Sequence, residues 1–101
     1  MTLEDVLIET CRGEYIEVVK LLIKKGVDIH AQNDKAFINS CYNGHIEIVK
    51  LLIDLGANIH AQNDMAFINS CTYGHIEIVK LLINSGVSND NVYDLLYGCL
   101  I

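Results

Sequence analysis

Apolar residues recur at helical spacing in the segment HIEIVKLLI at positions 45–53. Its inward-facing set is Ile46, Val49, Leu52 and Ile53. Residues three or four positions apart lie on one face of an α-helix, and Glu47 and Lys50 fall on the opposite face. Gly56 follows, where a left-handed glycine can end the helix. The pattern therefore predicts an amphipathic helix that packs on one side and meets water on the other.

The same pattern returns along the chain with a period of 30 residues. Residues 30–53 and 60–83 differ at only three of 24 aligned positions, which are 35, 42 and 43 in the first unit. Residues 16–23 fit the same frame one period earlier, and three cysteines fall in register. Such self-similarity is typical of stacked units whose hydrophobic faces are completed by their neighbours.

Each period predicts two helices joined by a turn. In the third unit Asn63 and Asp64 supply turn chemistry and an N-cap, and the first helix runs from Met65 to about Tyr73. Gly74 then reverses the chain into the second helix. We therefore expect an all-α chain that forms a single domain over residues 1–101, with three helix pairs and a C-terminal capping helix. The predicted helices and helix starts are Leu3–Cys11, Tyr15–Lys25, Lys35, Met65 and Asp90–Ile101.

These motifs resemble the ankyrin repeat, through Ile-Val-Lys-Leu-Leu, the following Gly-Ala-Asn-Ile, and Gly-His at the start of the second helix. The resemblance covers roughly residues 3–101 and implies an ankyrin-type solenoid of stacked helix-turn-helix repeats with short connecting loops. The Thr-Pro-Leu-His start of the family's first helix is absent. The hydrogen bonds of that His are therefore expected to be missing, with Ile38 and Ile68 making apolar contacts instead. The shortened repeat is similar to those of large DNA viruses and some protists, which suggests a viral protein.

Composition and charge narrow the functional classes. The chain is 51% hydrophobic, contains no Pro, and carries a net charge of −6 from 13 acidic and 7 basic residues. An acidic surface repels phosphate backbones, so a nucleic-acid partner is not expected. The apolar runs are too short for a membrane helix, and Met1–Asp5 does not resemble a secretory signal. We therefore expect an intracellular protein, cytoplasmic or nuclear, with no membrane partner.

Four cysteines and four histidines raise the question of a metal site or a disulfide. Residues one period apart lie on layers about 8–10 Å apart, which is too far for a disulfide or for zinc ligation. The cysteines expected to be small buried core residues are Cys11, Cys41 and Cys71. His45 and His75 are expected to be structural, and His30 and His60 lie in the arm before the loop. We predict no catalytic residue, metal or cofactor, and hence no enzyme.

The three positions that differ between the near-identical units suggest a binding surface. The resemblance places them on the concave surface, formed by the loop tips and the outward side of the first helix. The convex residues Glu47 and Lys50 are unchanged in the next unit. The differences indicate either tuning for a protein partner, with Tyr42 and Tyr73 as anchors, or drift after a recent duplication. The predicted partner-binding residues are Gln32, Asn33, Lys35, Asn39, Tyr42, Asn43, Gln62, Asn63, Met65, Asn69, Thr72 and Tyr73.

Two functional classes stay open at this point. The first is a protein–protein interaction module that binds a partner protein through the concave face, where Asp34 and Asp64 either add polar contacts or serve only as N-caps. The alternative is a structural repeat protein that forms a homo-oligomer through its apolar C-terminal end, residues 95–101. A mass that depends on concentration would favour the second class.

Overall fold

A computed structural model describes residues 1–86 of the chain and places six helices in that range. They are α1 Leu3–Thr10, α2 Ile16–Lys24, α3 Ala31–Tyr42, α4 Ile46–Asp54, α5 Ala61–Thr72 and α6 Ile76–Asn84. No strand occurs in this part of the chain. The all-α prediction and the three helix pairs are confirmed. The predicted capping helix and the apolar C-terminal end lie outside the described residues.

The helices form two parallel rows. The first helices α1, α3 and α5 contact one another in sequence, and the second helices α2, α4 and α6 form a second row behind them. Each first helix also packs on the second helix of its own repeat. The core therefore runs between the two rows along the stack, as the repeat pattern predicts.

Large apolar side chains from both rows fill this core. Phe37 and Phe67 are fully buried in the first helices, and Leu52 and Leu82 are fully buried in the second helices. Cys11, Cys41 and Cys71 are buried among them, as predicted from their period. The predicted inward-facing set of α4 lacks one residue, because Ile48 is also buried. Ile48 lines a cavity together with Ile16 of the preceding second helix, a proximity that a single-helix pattern does not reveal.

Glycine ends the helices in left-handed conformations, as predicted. Gly56 has φ +94° after α4, where its N–H donates to the carbonyl of Ile53 at 3.0 Å. The N–H of Ala57 donates to Leu52 at 2.9 Å, which completes a Schellman motif. Gly44 adopts φ +76° at the turn between α3 and α4. These caps fix the short connections between successive helices.

The elements α3 and α5 begin at Ala31 and Ala61, but their right-handed helical parts begin near Lys35 and Met65, as predicted. The three residues after each alanine have positive φ, so each element contains a left-handed turn before its right-handed helix. The turn predicted from Asn and Asp is present, but its left-handed backbone conformation was not predicted.

Candidate protein-interaction site

A left-handed turn forms the tip of each loop. Gln32, Asn33 and Asp34 have φ values of 55°, 56° and 60°, and the N–H of Asp34 donates to the carbonyl of His30 at 3.1 Å. Residues 62–64 repeat this geometry. Asn and Asp tolerate positive φ better than most residues, since their short side chains can bond locally. The turn leaves Gln32 and Asn33 exposed and directs the chain into the helix.

A histidine–carboxylate bond closes the base of each loop. His30 Nδ1 lies 2.7 Å from Asp34 Oδ1, and His60 Nδ1 lies 2.6 Å from Asp64 Oδ1. An ionised carboxylate only accepts, so Nδ1 carries the hydrogen. The predicted N-cap role is wrong, because neither carboxylate accepts a hydrogen bond from a helix N–H. The family's own histidine is absent, since Ile38 and Ile68 take its position, and His30 and His60 supply a different hydrogen bond at the loop base.

The expected apolar replacement at the family's histidine position holds in the first of the two units. Ile38 is buried and Ile68 is partly buried. The difference follows from the stack, because a third repeat covers the first-helix row on one side of Ile38. The loop base therefore combines an apolar side chain with a hydrogen bond between histidine and carboxylate.

Glutamine side chains tie successive loop tips together. Gln62 Nε2 donates to the backbone carbonyl of Asn33 at 3.2 Å and to that of Gln32 at 3.4 Å. Gln32 Nε2 in turn donates to Asp5 Oδ1 at 3.3 Å. Each tip is thus bonded to the preceding repeat, so the tips are held in a row. Such bonding lowers the cost of ordering the tips when a ligand binds.

Two depressions lie side by side on the surface formed by these tips and the first helices, which we call the first-helix face. One has a volume of about 330 Å³ and the other about 310 Å³. The first is lined by Gln32, Asn33, Lys35, Ile38, Asn39 and Gln62, and the second by Arg12, Asn39, Tyr42 and Asn43. Asn39 separates the two, and its Nδ2 donates to the carbonyl of Ile8 at 3.2 Å. The floor they share is therefore fixed to the preceding repeat.

Two exposed tyrosines on this face contact each other. The ring centroids of Tyr42 and Tyr73 are 4.6 Å apart with the planes at 62°, an edge-to-face arrangement. Tyr42 is 44% exposed and Tyr73 52% exposed. Interaction with the Tyr42 side chain, chiefly through its hydroxyl, raises the pKa of Tyr73. The Tyr73 phenol is therefore neutral near pH 7 and can donate or accept a hydrogen bond.

The structure brings together seven of the twelve predicted binding residues in the two depressions. These are Gln32, Asn33, Lys35, Asn39, Tyr42, Asn43 and Gln62. The five outside the depressions are Asn63, Met65, Asn69, Thr72 and Tyr73, of which Asn69 is partly buried and the others are exposed. Thr72 donates its hydroxyl to the carbonyl of Ile68 at 2.8 Å.

Arg12 lines the second depression and was not predicted to bind. A signal for it exists in the sequence, because Arg12 is the counterpart of Tyr42 and Thr72 one and two periods later. The weaker match of the first repeat hid this register. Extending the repeat frame to residue 12 would have found it.

The second pair of histidines joins neighbouring repeats. His45 Nε2 lies 2.7 Å from the carbonyl of Arg12, and His75 Nε2 lies 2.9 Å from that of Tyr42. A carbonyl only accepts, so Nε2 is the protonated nitrogen in both rings. The structural role predicted for His45 and His75 agrees with these bonds. Each ring fixes its own repeat to the end of the preceding first helix.

A third cavity, of about 230 Å³, lies between second helices. Glu14, Ile16, His45, Ile46 and Ile48 belong to its wall, together with Gly44 and Glu47. His45 Nδ1 is buried without a hydrogen bond, with Glu14 Oε1 at 3.5 Å. An equivalent cavity, of about 220 Å³, recurs one repeat later between Ile46 and Ile78. The recurrence marks these cavities as seams between repeats.

Cys11 and Cys41 are not poised for nucleophilic chemistry. Burial raises the pKa of Cys11 and of Cys41 to about 12, so both thiols are neutral at pH 7. Within residues 1–86, no group of three or more His, Cys, Asp and Glu side chains could hold a metal ion. Within the same range, no helix is long and apolar enough to cross a membrane.

Comparison with known proteins agrees with this geometry. A family model described as ankyrin repeats (3 copies) matches residues 7–94, which is most of the chain. A search of curated proteins found no match. The three copies correspond in number to the three helix pairs of residues 1–86.

Proposed function

The chain belongs to the ankyrin-repeat family, whose members are generally protein–protein interaction modules, and on that premise we propose that it binds a partner protein through its first-helix face. The proposed role is non-enzymatic. The module would hold the partner in the row of loop tips and the two depressions below them. The twelve predicted residues form the proposed contact surface, and Arg12 is added to it.

The distribution of differences between near-identical repeats carries this proposal. The pairs that differ are Lys35/Met65, Tyr42/Thr72 and Asn43/Tyr73. All six side chains are exposed or partly exposed, and all belong to the first helices or the turns that follow them. The exposed second-helix residues Glu47 and Lys50 recur unchanged as Glu77 and Lys80. Variation confined to one of two exposed faces supports tuning of that face for a ligand.

The chemistry of the face suits a polypeptide ligand. Side-chain amides offer both donors and acceptors, which match the alternating N–H and C=O groups of a peptide backbone. Tyr42 and Tyr73 add apolar area with few rotatable bonds, which is typical of interface anchors. Charged side chains are few there, so we expect binding to depend weakly on salt.

Affinity capture from a lysate, followed by titration of the captured protein, tests the proposal. The test variant is Tyr42→Ala/Tyr73→Ala, and the matched control is Glu47→Ala/Glu77→Ala on the second-helix row. We expect the tyrosine variant to bind at least about tenfold more weakly, as for truncated interface anchors. The control variant should bind like the wild type.

Loss of the tyrosine pair also removes an edge-to-face contact worth about 1 kcal/mol. Unfolding curves of both variants must therefore show a folded protein at the temperature of the binding assay. Unchanged affinity in the folded tyrosine variant, or a larger loss in the glutamate variant, would contradict the proposed face.

A further inference from the structure

The two cavities between second helices have nearly the same walls and differ at one side chain. We call the cavity of about 230 Å³ beside His45 the first seam cavity, and the cavity of about 220 Å³ beside His75 the second seam cavity. Glu14 belongs to the wall of the first. Its counterpart one period later is Gly44, which has no side chain. The first seam cavity therefore carries a carboxylate at a position where the second has none.

The imidazole of His45 offers an acceptor that has no donor. Its Nε2 carries the hydrogen that is donated to the carbonyl of Arg12 at 2.7 Å, so Nδ1 of the neutral ring can only accept. Nδ1 is buried, and no group within residues 1–86 bonds to it. A buried acceptor without a donor is unfavourable, because it has lost water and gained nothing in return. A ligand that donates a hydrogen bond to Nδ1 would remove this penalty.

Glu14 lies beside the same nitrogen. Its Oε1 is 3.5 Å from His45 Nδ1, which is longer than the usual N–H···O separation of about 2.7–3.2 Å. Glu14 is a wall residue of the cavity, whereas Arg12 on the Nε2 side of the ring is not, so Nδ1 is the nitrogen on the cavity side. A donor nitrogen can lie about 2.9 Å from both acceptors at once. The two acceptors are thus placed to share one donor group.

The charge and the apolar surface of the cavity define such a ligand further. Glu47 adds a second carboxylate to the wall, and two negative charges outweigh the partial positive charge at the N-terminus of α4. Ile16, Ile46 and Ile48 supply apolar surface. Among the described residues no set of three metal-ligating side chains exists, which disfavours a metal ion as the cation. The cavity therefore matches a ligand with a cationic donor at one end and an apolar chain at the other.

We propose that the first seam cavity binds a primary alkylammonium group. Its nitrogen donates to His45 Nδ1 and to Glu14 Oε1, and its alkyl chain packs against Ile16 and Ile48. A primary ammonium has three N–H donors, so it can serve both acceptors and keep one donor for water. The cavity lies between second helices and shares no wall residue with the two depressions of the first-helix face. This proposal and the proposed function can therefore fail independently.

Butylamine, which is protonated at neutral pH, is the probe, and NMR of the backbone amides follows its binding. We expect saturable shifts at Ile16 and Ile48, with little change at Ile78, which lines only the second seam cavity. Ethylamine should bind more weakly by at least about twofold for each methylene lost, because less apolar surface is buried. Butyrate, which carries the opposite charge, should not bind. Equal shifts with butyrate, or no saturable shift with butylamine at tens of millimolar, would overturn the proposal.

Two glutamine variants test the role of the carboxylate. The side chains of Glu14 and Glu17 are both 83% exposed, and each substitution removes one negative charge from the first repeat. Glu17 is not a wall residue of the cavity. We expect Glu14→Gln to weaken butylamine binding at least about tenfold, because a charged hydrogen-bond partner is lost. Glu17→Gln should change it less than about twofold. Equal losses in the two variants would indicate attraction by net charge alone and would overturn the site.

A blocked lysine distinguishes two sources of the ammonium group. Nα-acetyl-lysine methylamide carries the butylammonium chain on a peptide backbone. Tighter binding than that of butylamine would assign the cavity to a lysine side chain of another protein. Weaker binding would assign it to a small free amine, because the backbone would then obstruct entry. Either assignment requires that the better ligand lose affinity in Glu14→Gln, and a ligand insensitive to this change would contradict the proposed contact.

Discussion

At the scale of single residues, the contact between repeats depends on the absence of a side chain. Gly44 has φ +76°, and the ring of His75 occupies the space beside its Cα. Two separate constraints therefore act on this glycine. One is the left-handed backbone, which L-residues with a Cβ adopt at a cost, and the other is the neighbouring ring.

Comparison of two alanine variants separates these constraints. Gly74→Ala meets only the first, because its φ is +72° and residues 1–86 leave open space around it. We expect it to lower the free energy of unfolding by about 1 kcal/mol. Gly44→Ala should cost at least about 2 kcal/mol, because the His75 ring must also move. Urea unfolding measures both, and equal losses would contradict the packing described at Gly44.

At the scale of helices, nearly identical sequences are buried to different extents at different places in the stack. α2 reads IEVVKLLIK and α4 reads IEIVKLLID. Val18 of α2 is exposed, whereas Ile48 of α4 is buried and lines a cavity with Ile16 of the helix before it. Burial at this position is thus set by the neighbouring repeat and not by the helix itself.

Truncation of these two residues should therefore give unequal results. Ile48→Ala leaves a cavity in a buried seam, and we expect it to cost about 3 kcal/mol of unfolding free energy. Val18→Ala removes side-chain atoms from a partly solvated surface and should cost less than about 1 kcal/mol. The comparison is made by urea unfolding at low protein concentration. Similar losses at both positions would contradict the difference in burial between Val18 and Ile48.

The sequence predicted the helices well because its apolar period and its glycines act locally. The second helices and their glycine caps were predicted within a residue or two, and so was the burial of the three cysteines. The burial of Ile48 and the bond between Gln62 and Asn33 were not, since both depend on contact between repeats. The left-handed tip at Gln32 was also missed, because glutamine gives no signal for positive φ.

At the scale of the whole molecule, contacts run only between neighbours along the stack. α4 touches both α2 and α6, whereas α2 has a neighbouring second helix on one side. Stability in such a stack is approximately a sum of repeat terms and nearest-neighbour terms. The middle repeat is therefore expected to open less often than the first.

Hydrogen exchange tests this directly, because α2 and α4 have nearly the same sequence and hence similar intrinsic exchange rates. In dilute solution we expect the amides of α4 to exchange about tenfold or more slowly than those of α2. Faster exchange in α4 than in α2 would contradict the nearest-neighbour picture.

Each cavity between second helices is lined by two isoleucines 32 positions apart, Ile16 with Ile48 and Ile46 with Ile78, and this spacing also bears on how a gene for this chain can change. Deletion of residues 31–60 would bring Ile16 against Ile78, which replaces the partner Ile48 by an identical side chain. Insertion of one more unit would likewise create another pair of the same kind. Recombination can therefore alter the copy number in whole 30-residue steps without producing a mismatched junction. The length of the proposed binding face can therefore change by whole repeats while each repeat keeps its sequence.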